Sequence, residues 1–554
     1  MYLKARIIIS KFCTKLMAPL LLYRRNQLRK MIRGYSILRN SDDLDRIPLL
    51  KISLTECIFD VADEFPSNMF FGAATNRRES VLREFLLALI GGRNLNRALL
   101  TALGKNNAPV IFALPREWRD ILEEHNFKVA RVRCAILWYL LTCAVFFFGV
   151  LQIAKTTCGG LLTQKTLDKF QKGYVAFNGL IQTNLPSQSG QSLSYDIVTW
   201  YLQWLGRQSD FESIIHTVSA VKDYDFQKVK IKSVSEILPK IFGLSMRCRY
   251  LVWGCCVSLL AFVYLLRGKW WYALILNQSA IAEKVRLLPS RLLAKEYLFH
   301  NSTFRHRPLW TYEAEAKASV ISLYFYSTNI EFRKTLDGRT TSYGHRIMSW
   351  PRYLVWDDYQ AEFIRKSVQS EVRILVVGTI WFTDIPTNLP SVQRPGVAVF
   401  DITPFRPTTY CLIGMDHEFY TPRVMNTFLL NIRELLGNGG LLMLWKRKRD
   451  IGNLVHSRYA SLARDLDEDE GVIIFDPDIS AVKVIEASLA VVSAPFTSTA
   501  LIARDLGKPS VYYDPSETLP RDHPAAHGIP LLRGIEELKL WLQEVSIGKQ
   551  FSPN

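Results

Sequence analysis

Along the last third of the chain, short apolar runs alternate with helical stretches, and few folds are open to a sequence that alternates in this way. The runs are residues 373–378 (RILVVG), 397–402 (VAVFDI), 441–445 (LLMLW), 472–475 (VIIF), 490–493 (AVVS) and 510–513 (SVYY), with helical spacing at 421–436 and 479–488. Parallel strands need crossover helices, so the pattern predicts a doubly wound α/β domain over 370–554. Upstream, 110–114, 174–180, 320–326 and 353–356 read as strands, and 117–124 and 195–204 as helices. Two of these strands end in Ser327-Thr328-Asn329 and Asp357-Asp358, polar groups of the kind an open parallel sheet places around a ligand crevice. The expected architecture is therefore α/β with two Rossmann-like domains, 41–369 and 370–554, joined near 366–371.

Two segments set the first domain apart from an ordinary soluble one. Residues 134–154 (CAILWYLLTCAVFFFGVLQIA) carry no charge, with Arg131 and Arg133 before them and Lys155 after. At about 1.5 Å per residue, such a helix matches roughly 30 Å of hydrocarbon. Residues 250–266 (YLVWGCCVSLLAFVYLL) are bracketed by Arg247, Arg249, Arg267 and Lys269, and Trp270-Trp271-Tyr272 follow as an interfacial aromatic belt. Both are expected at a membrane, because core helices are rarely charge-free for so long. Cations flank both ends of each, so charge asymmetry leaves the topology open. If the region between them, 156–249, belongs to the soluble domain, the two helices form a hairpin that dips into one leaflet rather than spanning.

Charge is concentrated at the start. Residues 1–40 hold ten Lys or Arg and no acid, and apolar stretches at 7–9 and 16–23 alternate with Arg24-Arg25 and Arg29-Lys30. That mixture suits the headgroup layer of an anionic inner leaflet better than a nucleic acid. Lys11, Lys15 and Pro19 break the apolar stretches and argue against a cleavable signal peptide. Across the chain, 69 Lys+Arg exceed 51 Asp+Glu by 18, while 49% hydrophobic content excludes a disordered polypeptide. Nine cysteines form no Cys-x-x-Cys pair, which argues against a disulfide framework and for a reducing compartment.

The most informative stretch is 491–515, VVSAPFTSTALIARDLGKPSVYYDP. A strand ends at Ser493, Pro495 breaks it, and Thr497, Ser498 and Thr499 precede a helix closed by Gly507. Hydroxyls and free N–H groups at that helix start make an anion site for a phosphate or sugar. The plainer alternative is that Thr497 or Ser498 only caps the helix. Asp514, beyond the next strand, opens toward the same edge, to meet sugar hydroxyls or to satisfy a turn. Strand 441–445 runs into Lys446-Arg447-Lys448-Arg449, and alternation sends Lys446 and Lys448 to one side, where the pair can neutralise a phosphate. Asp476 ends the following strand, near where a base or ribose would lie. Asp465, Asp467 and Asp469 read as a solvated turn, and the histidines show no ligand spacing, so no metal is expected. Walker, Gly-x-Ser-x-Gly, His-Glu-x-x-His and Gly-x-Gly-x-x-Gly patterns are missing from the sequence.

The run 493–500 (SAPFTSTA), with 507–510 (GKPS) and 512–515 (YYDP), resembles the bacterial polysaccharide biosynthesis PFTS-motif proteins. A second block supports the resemblance: 296–313 (EYLFHNSTFRHRPLWTYE), then 324–329 (YFYSTN) and 354–360 (LVWDDYQ). It covers 270–520 firmly and implies a GT-B-like glycosyltransferase of surface polysaccharide or lipopolysaccharide assembly. The implied partners are a nucleotide-sugar co-substrate and a lipid-linked or oligosaccharide acceptor, with no further cofactor, on the cytoplasmic side of the inner membrane. The helix start is also similar to the donor-phosphate motif of bacterial sialyltransferase-like and Kdo-transferase-like enzymes, which suggests a CMP-linked donor. An inverting transfer also needs a base from the N-terminal domain; His300, Glu313, Asp357 and Asp358 are the candidates. A buried hydrogen-bonded histidine, a capping glutamate and a turn pair are the corresponding structural readings. Two alternatives stay open: a non-catalytic membrane-bound scaffold or export factor, and a nucleic-acid binder driven by the basic arm.

Overall fold

The computed structural model describes residues 46–62, 68–72, 77–90, 93–104, 108–159, 170, 173–186, 197–205, 211–300, 307–325, 348–368, 371–380, 389, 394–405, 421–447, 455–477 and 479–546. The basic arm, Lys448 and Ser327-Thr328-Asn329 lie outside these residues. The chain divides into two compact units, one of 1–57, 88–138 and 405–417, the other of 58–87, 139–404 and 418–554.

The second unit holds two sheets. The first has eight strands: β1 Tyr174–Asn178, β2 Ser213–His216, β3 Tyr224–Phe226, β4 Val229–Ser233, β5 Glu296–Phe299, β6 Val320–Tyr324, β7 Arg352–Val355 and β8 Arg373–Val376, in the order 3-4-2-1-5-6-7-8. Every pairing is parallel except β3 with β4. The second has six strands, β9 Gly396–Phe400, β10 Leu442–Lys446, β11 Val472–Phe475, β12 Ala490–Ser493, β13 Ser510–Asp514 and β14 Leu531–Arg533, all parallel, in the order 11-10-9-12-13-14. Both are Rossmann-like α/β layers. Their central strands are buried on both faces, which is why they read as continuous apolar runs rather than alternating ones. One apolar core continues from Phe177, Leu298 and Leu354 in the first sheet to Ala398, Val491 and Tyr512 in the second.

Two expectations change. Strand 373–376, expected to open the second series, pairs with β7 and closes the first sheet, so the chain passes between sheets after β8 rather than at 366–371. Hydropathy marks a strand but carries no information about which sheet it joins. Residues 110–114 form no strand, only a bridge between Val110 and Val129, because the partner segment enters the Arg131–Cys158 helix two residues later.

The two charge-free segments are helices, Arg131–Cys158 and Leu244–Leu266. The region between them supplies β1 to β4, so it belongs to the first sheet. Within the second unit the helices approach closely at glycines. A Cβ on Gly254 would lie 2.4 Å from Ile153 Cγ2, and one on Gly149 would lie 2.8 Å from Leu276 Cγ on the next helix, Trp271–Leu287. Lys155 pairs with Glu236 at 2.8 Å and the Tyr250 hydroxyl donates to the Ala280 carbonyl at 3.0 Å. The other face stays open and apolar, with Leu140 63% and Leu259 66% exposed.

In the first unit, Leu50 and Leu54 of the Arg46–Ala62 helix, Leu95 and Leu99 of Arg93–Gly104, and Trp118 and Leu122 of Arg116–Glu124 are buried apolar residues. Ser53 Oγ lies 2.9 Å from His125 Nε2.

Candidate functional site

Among the parallel strands of each sheet the order reverses once, and ligands of open α/β sheets bind outside the carboxyl ends of the strands at such a reversal. In the second sheet it falls between β9 and β12, where the Ala494 amide donates to the Phe400 carbonyl at 2.7 Å. In the first it falls between β1 and β5, where the His300 amide donates to the Asn178 carbonyl at 3.1 Å.

The turn after β12 is tight. Phe496 takes a left-handed φ of +62°, unfavourable for a bulky side chain, and is held there by packing between Tyr512 and His523. The chain then straightens at Thr497 and enters the helix Ser498–Asp505. Thr497 is the N-cap residue, yet it makes no side-chain cap. Its hydroxyl donates to the Ala494 carbonyl at 2.8 Å and lies 3.1 Å from Thr499 Oγ1, which is 2.8 Å from Ser493 Oγ. The three hydroxyls thus form a chain that braces the turn and leaves the opening amides of the helix uncapped. Ser498 and Thr499 are half-buried. Those N–H groups, with the positive end of the helix dipole, favour an anion.

Register decides where the basic run points. Lys446 pairs with Phe475, Trp445 with Val399, and Ser493 with Phe400, which puts Lys446 and Ser493 on the same face, two strands apart. Lys446 is buried and its ammonium donates to the Pro477 carbonyl at 3.1 Å. Asp476 is exposed at the end of β11. Asp514 differs from the expectation of a group opening to the crevice. It is fully buried, and its carboxylate accepts from the amides of Ser516, Thr518 and Leu519, each at 2.9 Å, and from the Ser516 hydroxyl. It shapes the loop after β13.

The first-sheet candidates separate. His300 sits at the reversal, stacked on Tyr324 with ring centres 5.6 Å apart. Burial pushes its imidazole down to about 4, below the neutral range expected of an unperturbed side chain, so it is uncharged at pH 7. Glu313 lies on the helix Leu309–Glu315, paired with Arg286 at 3.1 Å; it clamps two helices and is no strand-end group. Asp357 caps the helix Asp358–Ser367, accepting from the Gln360 amide at 2.9 Å, and its other oxygen lies 2.6 Å from His527 Nδ1. Burial pushes the Asp357 carboxyl up, but His527, the Gln360 amide and Arg504 outweigh it and hold the group below its ordinary value. Asp358 is an exposed first-turn acid.

One group at the second reversal was not singled out in the sequence. Asp401 follows β9 directly and is 2% exposed; the Tyr459 hydroxyl donates to Oδ2, and Oδ1 is buried with no hydrogen-bond partner among the described residues. Burial pushes its carboxyl up to about 6, against the Tyr459 hydrogen bond and the charge of Arg447. Among the described residues, no three His, Cys, Asp or Glu side chains are grouped to hold a metal ion.

A family model described as polysaccharide biosynthesis PFTS motif protein matches residues 257–542, more than half of the chain. The chain belongs to that family. The letters of the PFTS motif are Pro495, Phe496, Thr497 and Ser498, the turn and helix start described above. The match takes in the whole second sheet and, from the first, β5 to β8, whereas β1 to β4 precede it. Comparison with curated protein sequences finds no match. Among solved structures, this PFTS protein is similar to UDP-GlcNAc 2-epimerase from Methanocaldococcus jannaschii at 9% identity, over 69% of this chain and 95% of that one, with a TM-score of 0.36. It is similar also to the lipopolysaccharide outer core galactosyltransferase WaaB, at 13% identity over 68% and 91% with a TM-score of 0.33. A third is the glycosyltransferase SnogD from Streptomyces nogalater, at 10% over 69% and 96% with a TM-score of 0.29.

Proposed function

We propose that this PFTS-family protein is a membrane-associated glycosyltransferase of surface polysaccharide or lipopolysaccharide assembly. It transfers a sugar from a nucleotide-activated donor, a CMP-linked one first among the candidates, to a lipid-linked or glycan acceptor. The observation that carries this reading is the uncapped helix start at Ser498, set at the reversal of a Rossmann-like sheet. Glycosyl transfer builds negative charge on the departing phosphate, and prealigned N–H groups stabilise it without reorganising. Lys446, on the same sheet face, adds a cation. His300, neutral and at the reversal of the first sheet, is the favoured base for the acceptor hydroxyl; its low basicity would limit the driving force for proton removal.

The open apolar face of the two long helices supports the membrane part of this reading. Because β1 to β4 come from between them, they are read as lying in one leaflet, on the cytoplasmic side of the inner membrane. There the helices would bring the protein to a lipid-linked acceptor.

The test is thermal stabilisation of the purified full-length protein by CMP, UDP, GDP and ADP. One nucleotide at 100 times its Kd should contribute about 2.7 kcal/mol, a shift of several degrees. No shift with any of the four would overturn the donor-site assignment. Nucleotide-dependent stabilisation without any sugar transfer by the purified wild-type protein would favour a non-catalytic scaffold.

A further inference from the structure

The first unit contains a cavity of about 710 Å³ that the donor-site reading does not use. One wall is a single face of the Arg93–Gly104 helix, where Asn94, Arg97, Ala98, Thr101 and Ala102 recur at spacings of three and four. The opposite face of that helix, Leu95, Leu99 and Leu103, is in the core, so the cavity wall is fixed. The other wall is the turn after Ala108 and the start of the long apolar helix, with Ala130 and Arg133. Backbone bonds hold the walls together: Ala108 N to Ala102 O at 3.0 Å, Val110 N to Lys128 O at 2.8 Å and Ala130 N to Val110 O at 3.1 Å.

The lining has two characters. Ile111, Phe112, Pro109 and the alanines make it largely apolar; Arg97 and the exposed Arg133 also line it, with no acidic residue among the described lining residues. Arg131, two residues before Arg133, is neutralised by Asp120 and Glu123. Neither Arg97 nor Arg133 has an ion pair among the described residues. Two unneutralised guanidinium groups in an apolar hollow suit a phosphate bound through its planar oxygen pairs. Position identifies what the phosphate is attached to. Arg133 is the last charge before the charge-free run, and Val132 and Ile136 beside it are 73% and 55% exposed. A hydrocarbon chain leaving the cavity can therefore follow the apolar helix.

We infer that this cavity binds the phosphate headgroup of a lipid, with Arg97 and Arg133 holding the phosphate and the apolar helix receiving the chain. The inference rests on the membrane-association part of the proposed function and is independent of sugar transfer.

The experiment uses the full chain in phosphatidylcholine nanodiscs containing phosphatidic acid with a photoreactive acyl chain, followed by peptide mass spectrometry. Crosslinks are expected on peptides covering 94–112 and 130–137 and on the exposed face of the Leu244–Leu266 helix. Combined Arg97→Gln and Arg133→Gln should lower the first set about tenfold and leave the second unchanged. Ala98→Phe, which fills the cavity and keeps both charges, should do the same and covers the case in which the double variant does not fold. Unlabelled phosphatidic acid should compete and inorganic phosphate should not. Equal labelling in the variants, or labelling of Leu244–Leu266 alone, overturns the lipid site while leaving membrane association intact. Competition by inorganic phosphate reassigns the cavity to a free anion, and an absence of crosslinks anywhere removes both readings.

Discussion

Proline is the one residue that can remove a donor at Ser498 without disturbing the helix that presents it. Position N1 tolerates proline because its N–H has no intrahelical partner, and Thr497 before it already has the extended φ of −82° and ψ of 143° that a following proline requires. Ser498→Pro should therefore leave the melting temperature within a degree or so of wild type and weaken nucleotide binding about tenfold or more by calorimetry, the effect of one lost charge-assisted bond. Unchanged affinity would mean that the amides at this helix start do not hold the phosphate. A second residue-scale prediction concerns two buried titratable groups with opposite slopes. Asp401, near 6 against an ordinary 3.8, resists ionising, so its stability is fully present below pH 3.8 and is lost as pH rises toward 6. His300, near 4 against an ordinary 6.5, resists protonation, so its stability is present above pH 6.5 and is lost as pH falls toward 4. The two slopes largely cancel in the wild type. Asp401→Asn should then lose stability on acidification from pH 6.5 to 4, and His300→Gln should gain it from pH 6 to 4, each by on the order of 2–3 kcal/mol in urea unfolding. Parallel pH profiles in the two variants would refute the assignment.

At the scale of elements, the first sheet is pinned by a buried network across β5, β6 and β7. Glu296 accepts from Arg352, from the Ser322 hydroxyl at 2.6 Å and from the Tyr201 hydroxyl at 2.8 Å, and Arg352 Nε donates to Ser322 at 2.7 Å. Arg352→Met leaves a buried carboxylate without its cation and should cost about 3–5 kcal/mol. Adding Glu296→Gln should recover part of that loss, because the neutral amide removes the unpaired charge, accepts from one of the two hydroxyls and donates its NH2 to the other; a double variant no more stable than the single would show that the ion pair is not the source. Such networks also mark the limit of what was legible in the sequence. The apolar runs announced five of the six strands of the second sheet but only four of the eight of the first, and the Pro495–Thr499 stretch announced the turn, because those signals are local. The sheet that β8 joins depends on pairing with β7, which no local pattern records. Glu313 and Asp514 have the residue type of site groups, but hydrogen bonds to their own neighbourhood commit them to structure. Asp401 lay within an apolar strand run, and its place at a reversal becomes visible only once the order 11-10-9-12-13-14 is known.

At the scale of the second unit, the helix that begins at Ser498 is tied at its far end to the first sheet. Arg504 donates to the His527 carbonyl at 2.9 Å, His527 Nδ1 meets Asp357 Oδ2 at 2.6 Å, and Thr379, just after β8, donates to Asp505 at 2.5 Å. Asp357 in turn caps the helix after β7, so a ligand that orders the Ser498–Asp505 helix also bears on an element of the other sheet. Energetic coupling of this kind is reciprocal, and it should be readable in hydrogen exchange. With the nucleotide that raises the melting temperature, amides in both 498–505 and 358–367 should exchange more slowly in the wild type. His527 has a left-handed φ of +52°, which asparagine tolerates, so His527→Asn keeps the turn while shortening the side chain away from Asp357. In that variant the nucleotide should still protect 498–505 and should lose most of its effect on 358–367. Persistent protection of both helices would show that the coupling runs through the shared apolar core around Leu354 and Tyr512 instead of through the histidine.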